Sequence, residues 1–300
     1  MCNKVVQFGT TAYDSNHPQT LQVELPRNYQ DTIKTKSFNQ ALIKAEVDPA
    51  DNINFRLTDE LNKYRLSGNK LKADAIEKFL NNYPSLEIPR GKLSDYDLTK
   101  ERLDPNFATK ILDPNYKNQL LNSKFETKRL NLRDDIINLL DVLELEGTSI
   151  DSNDDKKTYA IFTDFVVGGF ESAIGGMAYA RSITDNEKAS CKLDGASCTM
   201  IWGNAVVYFY TGKESQTLVH ELGHSFGLAH TFIPPNQPPS SEHTFYKGYT
   251  DNLMDYKSRF NPYHIPRART SNPFNEHLKA LFKWQWDIIR NDRSMNQPNT

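Results

Sequence analysis

The chain has 300 residues, a formal net charge of −2 and a mean hydropathy of −0.65. This length provides an ample core for one large domain or two smaller ones, and the near-neutral charge argues against nucleic acid or an anionic membrane as a partner. The longest apolar runs, such as residues 205–210, have the length of a strand and fall short of the ~20 residues of a membrane helix, so we expect no transmembrane segment.

Two amphipathic helical patterns occur in the first third of the chain. Both repeat apolar residues at intervals of three and four. The apolar positions are Leu57, Leu61 and Tyr64 in the first pattern, and Ala75, Ile76, Phe79, Leu80 and Tyr83 in the second. Pro84 ends the second pattern, because proline has no amide hydrogen with which to continue a helix. Residues 1–53 carry only one short alternating run, residues 21–25, among polar and turn-rich sequence.

Residues 84–124 are rich in Asp, Asn, Pro and Lys. This composition is typical of extended connecting sequence and indicates a domain boundary. The sequence therefore predicts a mainly helical N-terminal region over residues 1–124 and a second domain over residues 125–300. The role of the first region is left open between a propeptide, a targeting region and an accessory part of the fold.

The pattern becomes regular from about residue 128. A stripe of apolar residues predicts a helix that ends before Gly147. The stripe consists of Leu132, Ile136, Leu139, Leu140 and Leu143. Three apolar runs then predict strands at residues 159–167, 176–180 and 205–210. Helices mixed with strands in this way predict a fold of the α/β (α+β) class.

Two features between these strands have structural interpretations. Cys191 and Cys198 flank a short loop that contains Gly195, so a disulfide is one interpretation and a pair of free thiols is the other. Residues 151–155 match the start of a calcium-binding loop, but Lys156 stands at the glycine position and Phe162 at the glutamate position. We interpret that segment as a polar surface turn and assign no position to a structural calcium ion.

Three histidines and one glutamate have the spacing of a catalytic zinc site. His220 and His224 are four residues apart, so on an α-helix they lie on one face and can bind the same ion. His230 can supply a third imidazole after a turn. Three neutral imidazoles leave a fourth tetrahedral position for water, which is the pattern of a catalytic zinc site. Glu221, beside the first histidine, can take a proton from that water.

The flanking residues predict where this helix begins and ends. Thr211 and Glu214 have the spacing of a capping box, which predicts a start near residue 212. Gly227 stands where a helix would end in a left-handed residue, a conformation that costs glycine little. The positions that would form the buried side of the helix are Leu218, Leu222 and Phe226.

Downstream of a proline-rich loop, residues 252–256 read Asn-Leu-Met-Asp-Tyr. The extended histidine motif followed by this methionine turn resembles the metzincin clan of zinc endopeptidases. With Thr231 and Phe232 directly after His230, it is most similar to the pappalysin-type members. The resemblance spans roughly residues 175–256. It implies a catalytic domain with a twisted mixed sheet, an active-site helix, a Met-turn and a C-terminal helix, the last matching an apolar pattern over residues 278–289.

The resemblance also implies residue roles. Met254 would form a hydrophobic base beneath the zinc ligands, and Tyr256 would lie close to the zinc ion and help to stabilise the oxyanion. An edge strand beside the cleft would bind the substrate in an extended conformation through its backbone. The residues assigned to this strand are Gly176, Met177, Ala178 and Tyr179.

The sequence therefore predicts a zinc-dependent endopeptidase that binds one catalytic Zn²⁺ and acts on protein or peptide substrates. We expect a secreted or cell-surface protein of bacterial type, because its cysteine pair would suit an oxidising compartment, although the chain as given opens without an apolar leader. Two alternatives are left open. One is a zinc-stabilised protein-binding module without turnover, and the other is a protease-type toxin or effector with an N-terminal delivery region.

Overall fold

The computed structural model describes residues 2–9, 23, 25, 29–35, 38, 46–47, 53–143, 157–168, 174–182, 200–210, 215–232, 245, 250–256 and 280–290. Cys191 and Cys198 lie outside these residues, as do the calcium-like turn at residues 151–155 and the predicted capping residues Thr211 and Glu214.

Helices and strands are interspersed along the chain. In chain order they are β1 (Cys2–Gly9), α1 (Tyr29–Thr35), β2 (Glu46–Val47), β3 (Ile53–Arg56), α2 (Leu57–Ser67), α3 (Lys70–Asn82), β4 (Glu87–Ile88), α4 (Phe107–Lys110), α5 (Pro114–Leu143), β5 (Lys157–Thr163), β6 (Val166–Val167), β7 (Gly176–Ser182), β8 (Met200–Tyr208), α6 (Ser215–Ser225) and α7 (Lys283–Arg290). None of the helices in the described segments is both long enough and apolar enough to cross a membrane.

Six of the described strands form one mixed sheet in the order β2-β1-β5-β8-β7, with β3 also paired to β1. The pairs β1–β2, β1–β3, β1–β5 and β5–β8 are parallel, whereas the terminal strand β7 is antiparallel to β8. Strands β4 and β6 form a separate parallel pair. The predicted mixed α/β fold is confirmed, and β5, β7 and β8 occupy the three regions predicted as strands.

Helices cover both faces of the sheet, which explains why its inner strands are apolar at successive positions. Tyr159, Ile161 and Val207 face one side and pack with α2, α3 and α5. Their neighbours Ala160 and Val206 face the other side and pack with α1, α6 and α7. The alternation follows from the two-residue period of a strand. As a result α5 and α6 lie on opposite faces of the same sheet.

The N-terminal region contributes strands as well as the predicted helices. Strand β1 pairs with β5 over seven residues, from Cys2↔Lys157 to Phe8↔Thr163. Helices α2 and α3 correspond to the two predicted patterns and are separated by Gly68, whose φ of 72° is left-handed. The division at residue 124 stays a prediction; in the structure, α5 runs continuously across it.

Helix α5 begins earlier than its apolar stripe predicted. It starts at Pro114, within the stretch that the composition had assigned to connecting sequence. Two neighbouring residues explain why the helix starts here. The Asp113 carboxylate accepts a hydrogen bond from the Asn115 amide at 2.9 Å, and proline is favoured at the first helical position. The pair Asp113 and Pro114 therefore marks the start of the helix in the sequence, whereas the apolar periodicity alone does not show it.

Candidate metal centre

Helix α6 carries the first two histidines of the motif. Its apolar side, formed by Leu218, Leu222 and the following Phe226, is fully buried against the sheet, as the spacing predicted. His220 and His224 are one turn apart on this helix and are themselves buried. Burial of the apolar side therefore fixes the direction in which the two imidazoles project.

The end of α6 returns the chain toward these imidazoles. Gly227 adopts a φ of 86°, which confirms the predicted left-handed residue. Its amide donates to the His224 carbonyl at 2.9 Å, and the Leu228 amide donates to the Gly223 carbonyl at 3.0 Å. These two bonds form a Schellman motif, which closes the helix. His230 follows three residues after the turn.

The three imidazoles converge on one point. The Nε2 atom of His230 lies 3.3 Å from Nε2 of His220 and 3.2 Å from Nε2 of His224. Three nitrogens bound to a single tetrahedral zinc ion at ~2.0–2.1 Å would lie about 3.3–3.4 Å apart. The spacing of these nitrogens therefore fits a zinc ion held by all three histidines.

Hydrogen bonds at Nδ1 hold two of these imidazoles in the tautomer that leaves Nε2 free to bind a metal ion. His220 Nδ1 lies 2.9 Å from the Leu253 carbonyl, and His224 Nδ1 lies 2.7 Å from the Leu228 carbonyl. A carbonyl oxygen only accepts, so each Nδ1 is the donor and each Nε2 presents a lone pair. Burial lowers the pKa of His220. The pKa of His224 is lowered to about 3, mainly by burial and further by the charge of the nearby His220. Both imidazoles are therefore neutral near pH 7, as metal binding requires.

Met254 lies under the helix between the two histidines. It is fully buried, and a Cβ atom added to Gly223 would lie only 2.6 Å from its Sδ atom. Glycine at position 223 therefore allows the methionine turn to approach the backbone of α6. Gly223 had no role in the prediction from sequence. A glycine inside an otherwise regular helix was the available signal, because such a residue commonly marks a close packing contact.

A buried polar network holds this turn in place. The Met254 amide donates to Asn252 Oδ1 at 2.9 Å, and Asn252 Nδ2 donates to Gln285 Oε1 at 2.7 Å. Asn252 and Gln285 are both fully buried. The Asp255 carboxylate accepts from the amide and hydroxyl of Thr250 at 2.9 and 2.8 Å. Gln285, which connects α7 to the turn, was not among the residues predicted from sequence.

Glu221 faces the terminal strand β7. Its Oε2 atom accepts a hydrogen bond from the Ala178 amide at 3.1 Å. A Cβ atom on Gly176 would lie 3.0 Å from Glu221 Cγ and from Tyr208 Cδ1, so a larger residue here would require one of these side chains to shift by a few tenths of an ångström. Burial raises the pKa of Glu221 to about 7, against the lowering effect of the Ala178 hydrogen bond. The carboxylate is thus held in a setting where it can exchange a proton near neutral pH.

Tyr256 lies beside the histidines. Its ring centroid is 5.0 Å from that of His230, 5.5 Å from that of His220 and 5.1 Å from that of Phe232. Phe232 in turn stacks on His230, with centroids 4.9 Å apart. Burial raises the pKa of Tyr256, so its phenol stays protonated and can donate a hydrogen bond. The residue as a whole nevertheless remains 37 % exposed, which leaves it accessible from the solvent side.

Comparison with known proteins yields one match. A family model described as metallo-peptidase family M12 matches residues 112–263, about half of the chain. The matched stretch begins two residues before α5 and includes the three histidines and the methionine turn. No curated protein and no solved structure matches the chain.

Proposed function

This chain belongs to metallo-peptidase family M12, of the metzincin type, and on that premise we propose that it is a zinc-dependent endopeptidase. Its substrates would be proteins or peptides cleaved at internal bonds. The observation that carries the proposal is the convergence of the three imidazoles, in which Nε2 of His230 lies 3.3 Å from that of His220 and 3.2 Å from that of His224, because this spacing matches the ligand set of a tetrahedral zinc ion.

His220, His224 and His230 would hold the ion. When bound, zinc supplies Lewis acidity and brings the pKa of a coordinated water to about 7. The Ala178 amide anchors one oxygen of Glu221, which leaves the other to accept a proton from the attacking water. A carboxyl group with a pKa of about 7 can also return that proton to the leaving amine. The Ala178 contact and the raised pKa support Glu221 as the general base of the proposed reaction.

The terminal strand β7 suits an extended substrate. Metzincin-type peptidases bind their substrate along an edge strand, and in this chain β7 ends the sheet next to Glu221. The small residues Gly176 and Ala178 bring the backbone of β7 close to α6. We propose that a peptide adds to this edge through backbone hydrogen bonds, with its scissile carbonyl near the three histidines.

We propose further that Tyr256 stabilises the oxyanion with its hydroxyl. Tyr256→Phe keeps the ring between His220 and Phe232 and removes only the donor. Loss of one such donor typically lowers kcat by about 10²–10³, and because zinc would share the stabilisation we expect a fall of at least about tenfold. Steady-state kinetics measure this effect, with zinc content as the control. An unchanged kcat would make Tyr256 a packing residue.

Thr231 and Phe232 carry the likeness to pappalysin-type members, which we keep as part of the proposal. Both contribute to the site, since the Thr231 amide donates to the Met254 carbonyl at 3.4 Å and Phe232 stacks on His230. We also propose a secreted or cell-surface location, with an oxidised Cys191–Cys198 pair as its measurable consequence. Mass spectrometry of the non-reduced protein tests that pairing, and two free thiols in the native protein would count against it.

The proposed activity is tested by incubating the purified chain with a peptide library and reading the cleavage sites by mass spectrometry. An endopeptidase is expected to cut internal bonds and to favour particular side chains around the bond. If the zinc-loaded protein binds peptides but cleaves none, the alternative of a zinc-stabilised binding module replaces this proposal.

A further inference from the structure

The register of β7 determines which of its backbone groups face away from the sheet. The Phe209 amide donates to the Gly175 carbonyl at 2.9 Å, so the groups of Gly175 face β8. Hydrogen-bonding direction alternates along an antiparallel strand, and Ala178 stands opposite Val206 at a position where its own amide and carbonyl point outward. These two groups of Ala178 therefore lie on the side of β7 that faces away from β8, beside the candidate metal centre.

Both outward groups of Ala178 are bound by side chains from opposite faces of the sheet. Its amide donates to Glu221 Oε2 at 3.1 Å, from the face covered by α6. Its carbonyl accepts a hydrogen bond from Arg133 Nη1 at 2.8 Å, and Arg133 belongs to α5 on the other face. Arg133, Ala178 and Glu221 thus form a continuous chain of hydrogen bonds around the edge of the sheet.

Arg133 is held rigidly enough to act as an anchor. Its side chain is 6 % exposed. Its Nε and Nη2 atoms lie 2.8 and 2.7 Å from Asp134 Oδ1, and its guanidinium lies 5.5 Å from the centroid of the Tyr179 ring. A planar guanidinium bound at several points loses little further freedom when it donates one more hydrogen bond. The Arg133 guanidinium is therefore a preorganised donor for the Ala178 carbonyl.

We propose that Arg133 is a positioning residue for Glu221 and acts through Ala178. Among the described strands β7 pairs only with β8, so at Ala178 its outer side is restrained by side chains, and Arg133 supplies part of that restraint from α5. With the peptide group after Ala178 fixed, the amide before it keeps its direction toward Glu221 Oε2. A general base must hold its place within a fraction of an ångström, so loosening this strand would lower the rate without weakening substrate binding to the same degree. The inference rests on the proposed peptidase function.

Arg133→Met removes the donor and keeps much of the apolar stem, whereas Arg133→Lys keeps a cationic donor. We expect Arg133→Met to lower kcat about tenfold with KM changed less than about twofold, and Arg133→Lys to recover most of the loss. In the Glu221→Gln background, Arg133→Met should cause no further loss, because Arg133 acts through the glutamate. Arg65→Met is the matched control, since Arg65 is an exposed arginine on α2 paired only to Glu77 in the described structure.

A second measurement does not depend on activity. Amide hydrogen exchange at Ala178 should accelerate about tenfold in Arg133→Met and remain unchanged in Arg65→Met. The inference is overturned if kcat is unchanged in Arg133→Met, if KM rises as much as kcat falls, or if the loss is equally large in the Glu221→Gln background. A wild-type protein that holds zinc but cleaves no peptide contradicts the proposed function instead, and the exchange rate still reports on the contact between Arg133 and Ala178.

Discussion

Glu221→Gln is expected to lower kcat by about 10²- to 10⁴-fold while the protein keeps its zinc, because the substitution removes general-base catalysis. Glutamine has the size of glutamate, and its side-chain carbonyl can still accept the hydrogen bond from the Ala178 amide. The variant therefore preserves the packing against Gly176 and loses only the ability to take a proton from water. Measurement of kcat on a cleaved peptide, together with elemental analysis of zinc, tests both parts.

Glu77→Gln is the control for this substitution. Glu77 is an exposed glutamate on α3 that pairs with Arg65, so its replacement should leave kcat unchanged. A Glu221→Gln enzyme with wild-type turnover would show that another group is the base. A variant that folds but no longer binds zinc would give Glu221 a structural role instead.

The features that were predictable from sequence are those set by residues close together in the chain. The four-residue spacing of His220 and His224 needs only the geometry of one helix. The turn at Gly227 needs only a residue that tolerates positive φ at the helix end, and the observed φ of 86° agrees. The role of Met254 came from the likeness to a known family, and the structure places this side chain directly under Gly223.

The features that were missed join residues far apart in sequence. The hydrogen bonds between Asn252 and Gln285 link a loop to a later helix. The residues next to each of them in the sequence contain no motif that predicts this pairing. The contact of Arg133 with the Ala178 carbonyl joins the helix α5 to the edge strand. The apolar stripe of α5 predicted which side is buried but gave no reason to expect a buried arginine, since arginine is seldom buried without a partner.

Strand β1 was missed for a related reason. A parallel strand pair needs no hairpin turn, so the pairing of Cys2–Gly9 with β5 leaves no signal between them. The pairing bears on the open role of residues 1–124. Removal of this region would take away a strand that pairs with β5 on one side and with β2 and β3 on the other. Of the three roles left open for this region, we therefore propose an accessory part of the catalytic fold.

The protein is expected to carry one tightly bound zinc ion per chain and to lose both the ion and its activity in His230→Ala. The variant leaves His220 and His224 on α6, held by the Leu253 and Leu228 carbonyls, so the helix should persist while the ligand set drops to two. Zinc that binds only the folded protein stabilises it by about 2.7 kcal/mol at a concentration 100 times its Kd. Added zinc should therefore raise the Tm of chelator-treated wild type and have little effect on that of the variant.

The control for this substitution is His17→Ala, which replaces a histidine outside the triad. Freshly purified wild type without zinc, and without peptidase activity after zinc is added, would mean that the three converging nitrogens serve another purpose.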